Sequence, residues 1–570
     1  MQELIRRSMI ALTLSGLTFS LAIVAGCDSS SNDVARNASN ASDHTGTSLG
    51  LRGKVDDTDS SRQSVATTEG GTDNKIDLVV NSEPVVVRLG TVPAVKLAHS
   101  IKATAHEAIE IEKLIRELAA TDSPDFGLSD TMSGDNFLPL EGMSSASAFL
   151  LTDHELKSSP ALRKLVELGP KSLPFLLAAL DDKTRTKLVM TQSGGFGGMW
   201  YSNECSFNPM NPTEQKILGN RARAQGFDEE QINTHTVTIG DICFVAIGQI
   251  VGRGYQAVRY QPTACIVINS PTHDAKLCQH VRSIWSSTDA AQKLLDSLLL
   301  DYATEGIFNG DSLDGWDVGS SLQIAAAMRL LYYFPEESTA IIAERLDSLD
   351  VKANGPGSGS MHTPDELERS IKQDVANGVR AADFVKAVAW CREPKIKAAM
   401  LRIFERATDP DVVIAAVSSV GPDNSKIVRE RVATMIDDLA EESGPFGDGY
   451  NLLITAGKYG GTEAKAVFRK YLDRRSVQHC RSICHALRTV RSEWAAELLA
   501  PLLDDRREAD GWNYAVDPPQ NEPRLPIRIC DEAAETIATA NNDIKFEMRG
   551  SHADLDRQID AMKVALKKRH

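Results

Sequence analysis

The sequence is poor in aromatic side chains and has no long run of basic residues. Phe, Trp and Tyr make up 6% of the 570 residues, and the formal net charge at pH 7 is −16. A nucleic-acid binder needs a clustered basic face, so we expect no nucleic-acid partner. The low aromatic content favours helices that pack through small residues. A chain of this length needs two or more domains or one elongated repeat architecture.

Cysteine is also scarce, and its nine positions are irregularly spaced. A disulfide-rich scaffold is therefore not expected, and one or two bridges are the most that the pattern allows in an exported protein. Cys265 and Cys278 are the best candidates for such a bridge.

The clearest apolar run lies at the N-terminus. Two arginines are followed by an uncharged apolar stretch from Met9 to Val24, and small residues then precede Cys27. This order is typical of an export signal over residues 1–26 rather than of a membrane-spanning helix.

Residues 24–27, Val-Ala-Gly-Cys, resemble the bacterial lipobox. The resemblance implies cleavage before Cys27, acylation of Cys27 with fatty acids such as palmitate, and a lipoprotein on the extracytoplasmic, periplasmic side of a membrane. An ordinary signal peptide or a retained membrane helix is the alternative. Asp28 resembles the inner-membrane retention signal of enteric bacteria, but that rule does not extend to all bacteria, so inner and outer membrane both stay open.

Residues 27–90 are rich in Ser, Thr, Asp and Gly and have almost no apolar periodicity. Such a composition cannot offset the entropy of ordering, so we predict a disordered tether. About 55 residues of flexible coil span roughly 40 Å, which lets the folded part stand away from the membrane.

A repeated helical unit appears from residue 160. Four stretches align without gaps on a shared Leu-Asp, and they are residues 168–182, 334–348, 460–474 and 491–505. Asp473 and Asp504 lie 31 positions apart. A period near 31 with two helices per unit predicts an α-solenoid, in which each pair buries its apolar face against its neighbours.

Residues 408–421 and 526–540 resemble the second-helix consensus of HEAT-like repeats, the latter close to the phycobilisome-lyase type. The resemblance extends over about residues 155–545, with interruptions. It implies an all-α solenoid of helix pairs, with a binding surface in most members and lyase activity in a few.

The predicted organisation follows from these patterns. Its folded segments are an N-terminal helical segment 91–155, helical repeats 156–350, a flexible loop and helix start 351–378, further helical repeats 379–546 and a polar C-terminal helix or tail 547–570.

A Gly, Asn and Pro-rich insertion at residues 191–215 interrupts the repeats, and an extended segment follows at 258–271. Insertions of this size in a solenoid often project from the binding face. Aromatic residues are enriched at interface hot spots, and a Gly-rich loop has little core to fill. We therefore predict that Trp200, Tyr201 and Phe196 contact a partner.

His273, Asp274, Cys278 and His280 lie close together in the sequence and include zinc-type ligands. The pattern does not establish that four ligands surround a zinc ion, and a capped helix start is the alternative interpretation. We predict no cofactor and no catalytic residue.

The segment QHCRSICHALR (478–488) falls one residue outside the spacing of a c-type haem site, because three residues separate Cys480 from Cys484. Both cysteines also share the apolar stripe of a helix. We therefore predict that both are buried core residues and that His479 and His485 flank the packed face.

The leading functional hypothesis is a membrane-anchored scaffold that binds a protein or peptide. One alternative is an enzyme, either lyase-like by family analogy or metal-dependent around residues 273–280. The other is a haem carrier that uses residues 480–485.

Overall fold

Helices dominate the part of the chain that the structure describes, which confirms the helical class at a coarse level. This computed structural model describes residues 88–122, 137–140, 159–192, 197–214, 232–260, 266–305, 322–352, 381–438, 448–474, 476–509, 525–541 and 543–568. Several predictions concern residues outside these ranges: the signal peptide, Cys27, the tether up to residue 87, Phe196, Cys265 and most of the loop 351–378.

Eighteen α-helices lie within the described ranges. They are α1 (Ala105–Glu117), α2 (Pro160–Leu168), α3 (Leu173–Ala178), α4 (Ile239–Val251), α5 (Ala275–Trp285), α6 (Ala290–Ala303), α7 (Leu322–Tyr333), α8 (Pro335–Ser348), α9 (Ala381–Val388), α10 (Pro394–Arg406), α11 (Pro410–Val420), α12 (Ser425–Asp438), α13 (Asp448–Tyr459), α14 (Lys465–Leu472), α15 (Val477–Val490), α16 (Ala495–Leu499), α17 (Ile529–Ala540) and α18 (His552–Lys567). None of these helices is both long and apolar enough to cross a bilayer.

Local sequence sets where many of the helices begin. Thr104 and Glu107 form a capping box at the start of α1, and Thr238 and Asp241 form another at the start of α4. Five helices, α2, α3, α8, α10 and α11, have a proline in the first turn, where the missing N–H costs nothing.

The helices from α7 onward pack in an ordered way. The odd-numbered helices α7, α9, α11, α13, α15 and α17 each contact the next member of that series. Among the even-numbered helices, α8 contacts α10 and α12 contacts α14. Contacts such as α7 with α8, α10 with α11, α12 with α13 and α14 with α15 join the two series.

Small residues allow the odd-numbered helices to approach one another closely. Gly457 of α13 shows this most directly, because a Cβ atom at that position would lie 2.8 Å from Cγ2 of Val490 on α15. Ala456 on α13 and Ala486 on α15 are also fully buried. The low aromatic content of the sequence therefore corresponds to close helix packing.

The first part of the chain packs around α4. All thirteen residues of this helix are buried, and it contacts α1, α2, α3 and α6. Apart from Asp241 and Gln249, the helix consists of apolar residues and glycine, and such a helix must be enclosed by other elements. Contacts of α6 with α7 and of α8 with α10 continue the packing into the later helices.

Within its described residues, the first part of the chain contains three small sheets. β1 (Arg88–Leu89) pairs antiparallel with β7 (Thr304–Glu305), and β2 (Arg185–Thr191) pairs antiparallel with β4 (Thr234–Thr238). The third sheet has the order β3 (Met199–Ser202), β6 (Ile266–Asn269) and β5 (Val258–Tyr260), with β3 parallel and β5 antiparallel to β6.

This third sheet corrects one prediction. Trp200 and Tyr201 do not lie in an irregular Gly-rich loop, because residues 199–202 form a strand that pairs residue by residue with 266–269. The partner strand is distant in the sequence, so local composition carries no trace of the pairing. The extended segment predicted at 258–271 corresponds to β5 and β6.

The C-terminal segment is a helix and not a tail. Leu555, Ile559, Met562 and Leu566 lie on one face of α18 and are buried, and α18 contacts α17. The helix therefore covers the apolar surface at the end of the helical series.

A fully buried ion cluster fixes the segment 203–214 to the helices. Arg253 Nε and Nη2 donate to the two Glu214 carboxylate oxygens at 2.9 and 2.7 Å, and Nη1 and Nη2 donate to Asp301 at 2.5 and 2.9 Å. The Asn208 side-chain amide donates to Asp301 at 2.7 Å. The side chains of the three charged residues are at most 2% exposed.

We predict that Arg253→Met lowers the free energy of unfolding by about 3–5 kcal/mol, because it leaves two buried carboxylates without a cation. Urea denaturation of the purified protein measures the change. The matched control is Arg402→Met, since Arg402 pairs with Asp347 in a half-exposed salt bridge, and its loss should cost about 0–1 kcal/mol. Equal effects of the two substitutions would contradict the central role of the buried cluster.

Candidate functional site

Tyr201, His235 and Asp241 form a continuous hydrogen-bonded chain. The Tyr201 hydroxyl oxygen lies 3.1 Å from His235 Nδ1, and His235 Nε2 lies 3.2 Å from Asp241 Oδ2. The three residues come from β3, β4 and the first turn of α4. We call this group the Tyr-His-Asp chain.

Asp241 is the buried end of the Tyr-His-Asp chain, with 1% of its surface exposed. Its Oδ2 atom accepts the backbone N–H of Thr238 at 2.9 Å, and its Oδ1 atom accepts the Ser270 hydroxyl at 2.5 Å. An ionised carboxylate only accepts hydrogen bonds, so His235 Nε2 must carry a proton. In the neutral imidazole Nδ1 is then the acceptor, and the Tyr201 hydroxyl donates to it.

Local structure explains why these residues meet. His235 and Val237 alternate with more exposed residues along β4, which turns both towards the core. The Thr238 and Asp241 capping box then starts α4 directly after the strand. Gly240 lets the turn after β6 approach, because a Cβ atom there would lie 2.5 Å from Thr272 Cγ2.

The Tyr201 ring is held on two sides. It stacks on the His273 ring with 3.5 Å between ring centroids and 9° between ring planes, and it meets the His235 ring edge-on at 5.6 Å. Tyr201 is half-buried and His273 is exposed. Burial raises the pKa of Tyr201, and the nearby Asp241 carboxylate raises it further. The phenol therefore keeps its proton at neutral pH.

Trp200 lies beside Tyr201 in β3 and is also half-buried. Successive side chains of a strand point to opposite faces of its sheet. The two predicted contact residues therefore do not form a single aromatic patch, and Tyr201 is the one that joins His273.

The candidate metal ligands are placed in separate structural roles. Asp274 caps α5, since its side chain accepts the backbone N–H groups of Lys276 and Leu277. His273 stacks on Tyr201, and Cys278 is buried in α5. Within the described ranges, no three His, Cys, Asp or Glu side chains gather in a group that could hold a metal ion.

Cys278 also bears on the predicted disulfide. It is a free thiol, and Cys265, its predicted partner, lies outside the described residues. Cys278 instead packs on the apolar side of α5 next to Leu277 and Val281, which are fully buried.

The QHCRSICHALR segment forms most of α15. Cys480 and Cys484 are fully buried, which confirms the predicted phase of the helix. Cysteines in this position could receive haem only if α15 separated from its neighbours α13 and α17. His479 does not flank the packed face as predicted. Its side chain is buried, with 4% exposed, and the ring of Tyr471 on α14 covers it at 4.7 Å between ring centroids.

His485 lies at the edge of the packed face, as predicted, with 16% of its side chain exposed. Its Nε2 atom is 3.6 Å from Glu532 Oε2 on α17, and Glu532 also pairs with Arg481 at 3.0 Å. Burial lowers the pKa of His485 to about 3, and the positive charges of Arg488 and Arg481 contribute.

Sequence analysis missed three residues of the site, His235, Asp241 and Ser270. The Thr-x-x-Asp pattern at 238–241 is a recognisable capping box, and the alternation in THTVT marks a strand that ends at it. No linear motif links either feature to Tyr201 or Ser270.

Comparison of the chain with protein-family models, with curated proteins and with solved structures finds no match.

We predict that His485 makes stability depend on pH between about 3 and 6.5. The pKa of this base is lower in the folded state than its ordinary value of 6.5, so the unfolded chain binds the extra proton and stability falls as the pH drops below 6.5. In urea denaturation from pH 7.5 to 5, His485→Gln should remove about 1 kcal/mol of this loss per pH unit.

The control for this experiment is His106→Gln, because His106 is exposed on α1. A His485→Gln protein with the same pH profile as the wild type would contradict the prediction.

Proposed function

We propose that the protein is a membrane-anchored extracytoplasmic scaffold that binds a protein or peptide partner. The observation that carries the proposal is the ordered packing of α7 to α18, in which each odd-numbered helix from α7 to α15 contacts the next odd-numbered helix. Arrays of this kind present extended surfaces to partners, because each pair is stabilised by its neighbours and needs no separate core.

The same packing supports a solenoid of six helix pairs, from α7 with α8 to α17 with α18. Residues 408–421 and 526–540, which resemble HEAT-like repeats, the latter close to the phycobilisome-lyase type, correspond to α11 and α17. Both helices belong to the odd-numbered series. This equivalence supports the HEAT-like interpretation of the repeats.

The proposed contact is the Tyr201 and His273 ring pair on the β3 side of the first part of the chain. A ring that is already fixed by a stacking partner and a hydrogen bond loses little entropy when a partner binds. Tyrosine is also enriched among residues that dominate binding energy. The net charge of −16 favours a partner without excess negative charge.

The proposed anchor is a lipid on Cys27, joined to the folded part by the tether. The lipobox-like residues 24–27 support this proposal, and the tether composition supports a scaffold that reaches away from the bilayer.

We predict that Cys27→Ser abolishes lipid attachment in the native host. The variant should lose the mass of the acyl chains and move from the membrane fraction to the soluble fraction, because a serine cannot form the thioether of a lipoprotein. Intact mass spectrometry and membrane fractionation measure the two effects. Unchanged membrane retention and mass of the variant would contradict the proposed anchor.

We predict that Tyr201→Ala reduces cross-linking of the membrane-bound protein to its partner by about tenfold, as expected for the loss of a hot-spot residue worth 1–2 kcal/mol. Trp200→Ala is the matched control, because it removes an adjacent aromatic ring from the opposite face of the same strand. In-cell cross-linking followed by mass spectrometry identifies the partner set. If Trp200→Ala loses the partner and Tyr201→Ala keeps it, the proposed face is wrong.

A further inference from the structure

We propose that the Tyr-His-Asp chain is an acyl-transfer site, with Tyr201 as nucleophile, His235 as general base and Asp241 as orienting carboxylate, and with an uncharged carboxylic ester as substrate. This activity goes beyond partner binding and does not depend on it.

The geometry is that of an activated nucleophile. A hydroxyl, an imidazole and a carboxylate follow one another at 3.1 and 3.2 Å, within hydrogen-bond reach. The order of groups is the same as in a Ser-His-Asp triad, with a phenol in place of the serine hydroxyl and with the two ring nitrogens exchanged. A phenol is a stronger acid than a serine hydroxyl, so an imidazole can take its proton more easily.

The carboxylate end of the Tyr-His-Asp chain is held more firmly than helix capping alone requires. Capping of α4 needs only Thr238 and Asp241, yet Asp241 also binds Ser270 and His235. Ser270 is held in turn by Thr272, whose hydroxyl lies 2.9 Å away. These contacts keep the proton on His235 Nε2 and leave Nδ1 facing the Tyr201 hydroxyl.

The position of Tyr201 suits attack on a bound substrate. His235 is 7% exposed and Asp241 1% exposed, whereas Tyr201 is half-buried. The nucleophile therefore lies nearest the surface and the acid–base pair lies behind it. Because burial raises the pKa of Tyr201, the resting phenol is neutral and attack requires the base.

The step balances as ester hydrolysis. Tyr201 Oη bonds to the carbonyl carbon as its proton passes to His235 Nδ1, and the alcohol leaves with that proton when the ester C–O bond breaks. Water then attacks the acyl-tyrosine and gives one proton to His235 Nδ1, which returns it to Tyr201 Oη. The products are a carboxylic acid and an alcohol. The proton on His235 Nε2 stays on that nitrogen throughout and remains hydrogen-bonded to the Asp241 carboxylate.

The charges around the phenol define the substrate class. Among the described residues, the charge that acts on the Tyr201 phenol is the Asp241 carboxylate. Phosphoryl transfer relies on cations to balance the substrate's negative charge, and this site places an anion there. An uncharged ester avoids that repulsion, and the exposed His273 ring offers a face for an aromatic group.

The test uses the purified full-length protein with p-nitrophenyl acetate. We expect release of p-nitrophenolate and acetylation of Tyr201, detected by peptide mass spectrometry. Tyr201→Phe, which keeps the ring and therefore the proposed binding face, should abolish both signals. His235→Gln should slow acetylation about 100-fold, a typical contribution of a general base, while circular dichroism verifies that the variant is folded.

Two further measurements separate catalysis from a structural role. The acetylation rate of Tyr201 should rise with pH, because a general base acts in its unprotonated form, and Tyr459 should remain unmodified. Acetylation of Tyr201 no faster than that of Tyr459, or unaffected by His235→Gln, would overturn the proposal. Acetylation that persists in Tyr201→Phe and disappears in His273→Ala would also overturn it, because the nucleophile would then be His273.

Discussion

The buried ion cluster of Arg253 with Glu214 and Asp301 is the interaction on which the first part of the structure depends. It joins a segment with little apolar character to the end of α4 and to α6. Burial of three charges is favourable only when each is fully paired, so the segment 203–214 has one arrangement that satisfies all of them. β3 ends directly before that segment, so the cluster also constrains the position of Tyr201. The buried salt bridges hold this Gly, Asn and Pro-rich region in place, because it has little hydrophobic packing of its own.

The later helices are stabilised in a different way. The series α7 to α18 is built from contacts between near neighbours in the sequence, and its core consists mainly of aliphatic and small side chains. Polar pairs such as Arg481 with Glu532 lie between adjacent helices of this series and set their register. The first part of the chain instead encloses α4 and, within its described residues, adds three small sheets. The two parts thus combine an ordered series of helices with a mixed region that holds the Tyr-His-Asp chain.

Much of the helical structure was predictable because its causes are local. The apolar stripe of α15 places Cys480 and Cys484 in the core, and a capped helix start is one of the two interpretations of the segment around Asp274, which caps α5. The helical stripe puts His479 beside the packed face, whereas the ring of Tyr471 in the preceding helix covers it. The composition around β3 predicts a loop, because its partner strand β6 lies far along the chain. Errors therefore occurred where a residue's surroundings come from elsewhere in the sequence.

The sequence by itself determined the helical class, the start of many helices and the buried phase of α15, since periodicity and capping act within a few residues. Only the tertiary structure decided that Tyr201, His235, Asp241 and Ser270 meet. A hydrogen bond between side chains depends on distances of about 3 Å, and these four residues come from two strands, one helix and one turn. No spacing in a linear chain encodes such a distance until the strands have paired and α4 has been buried.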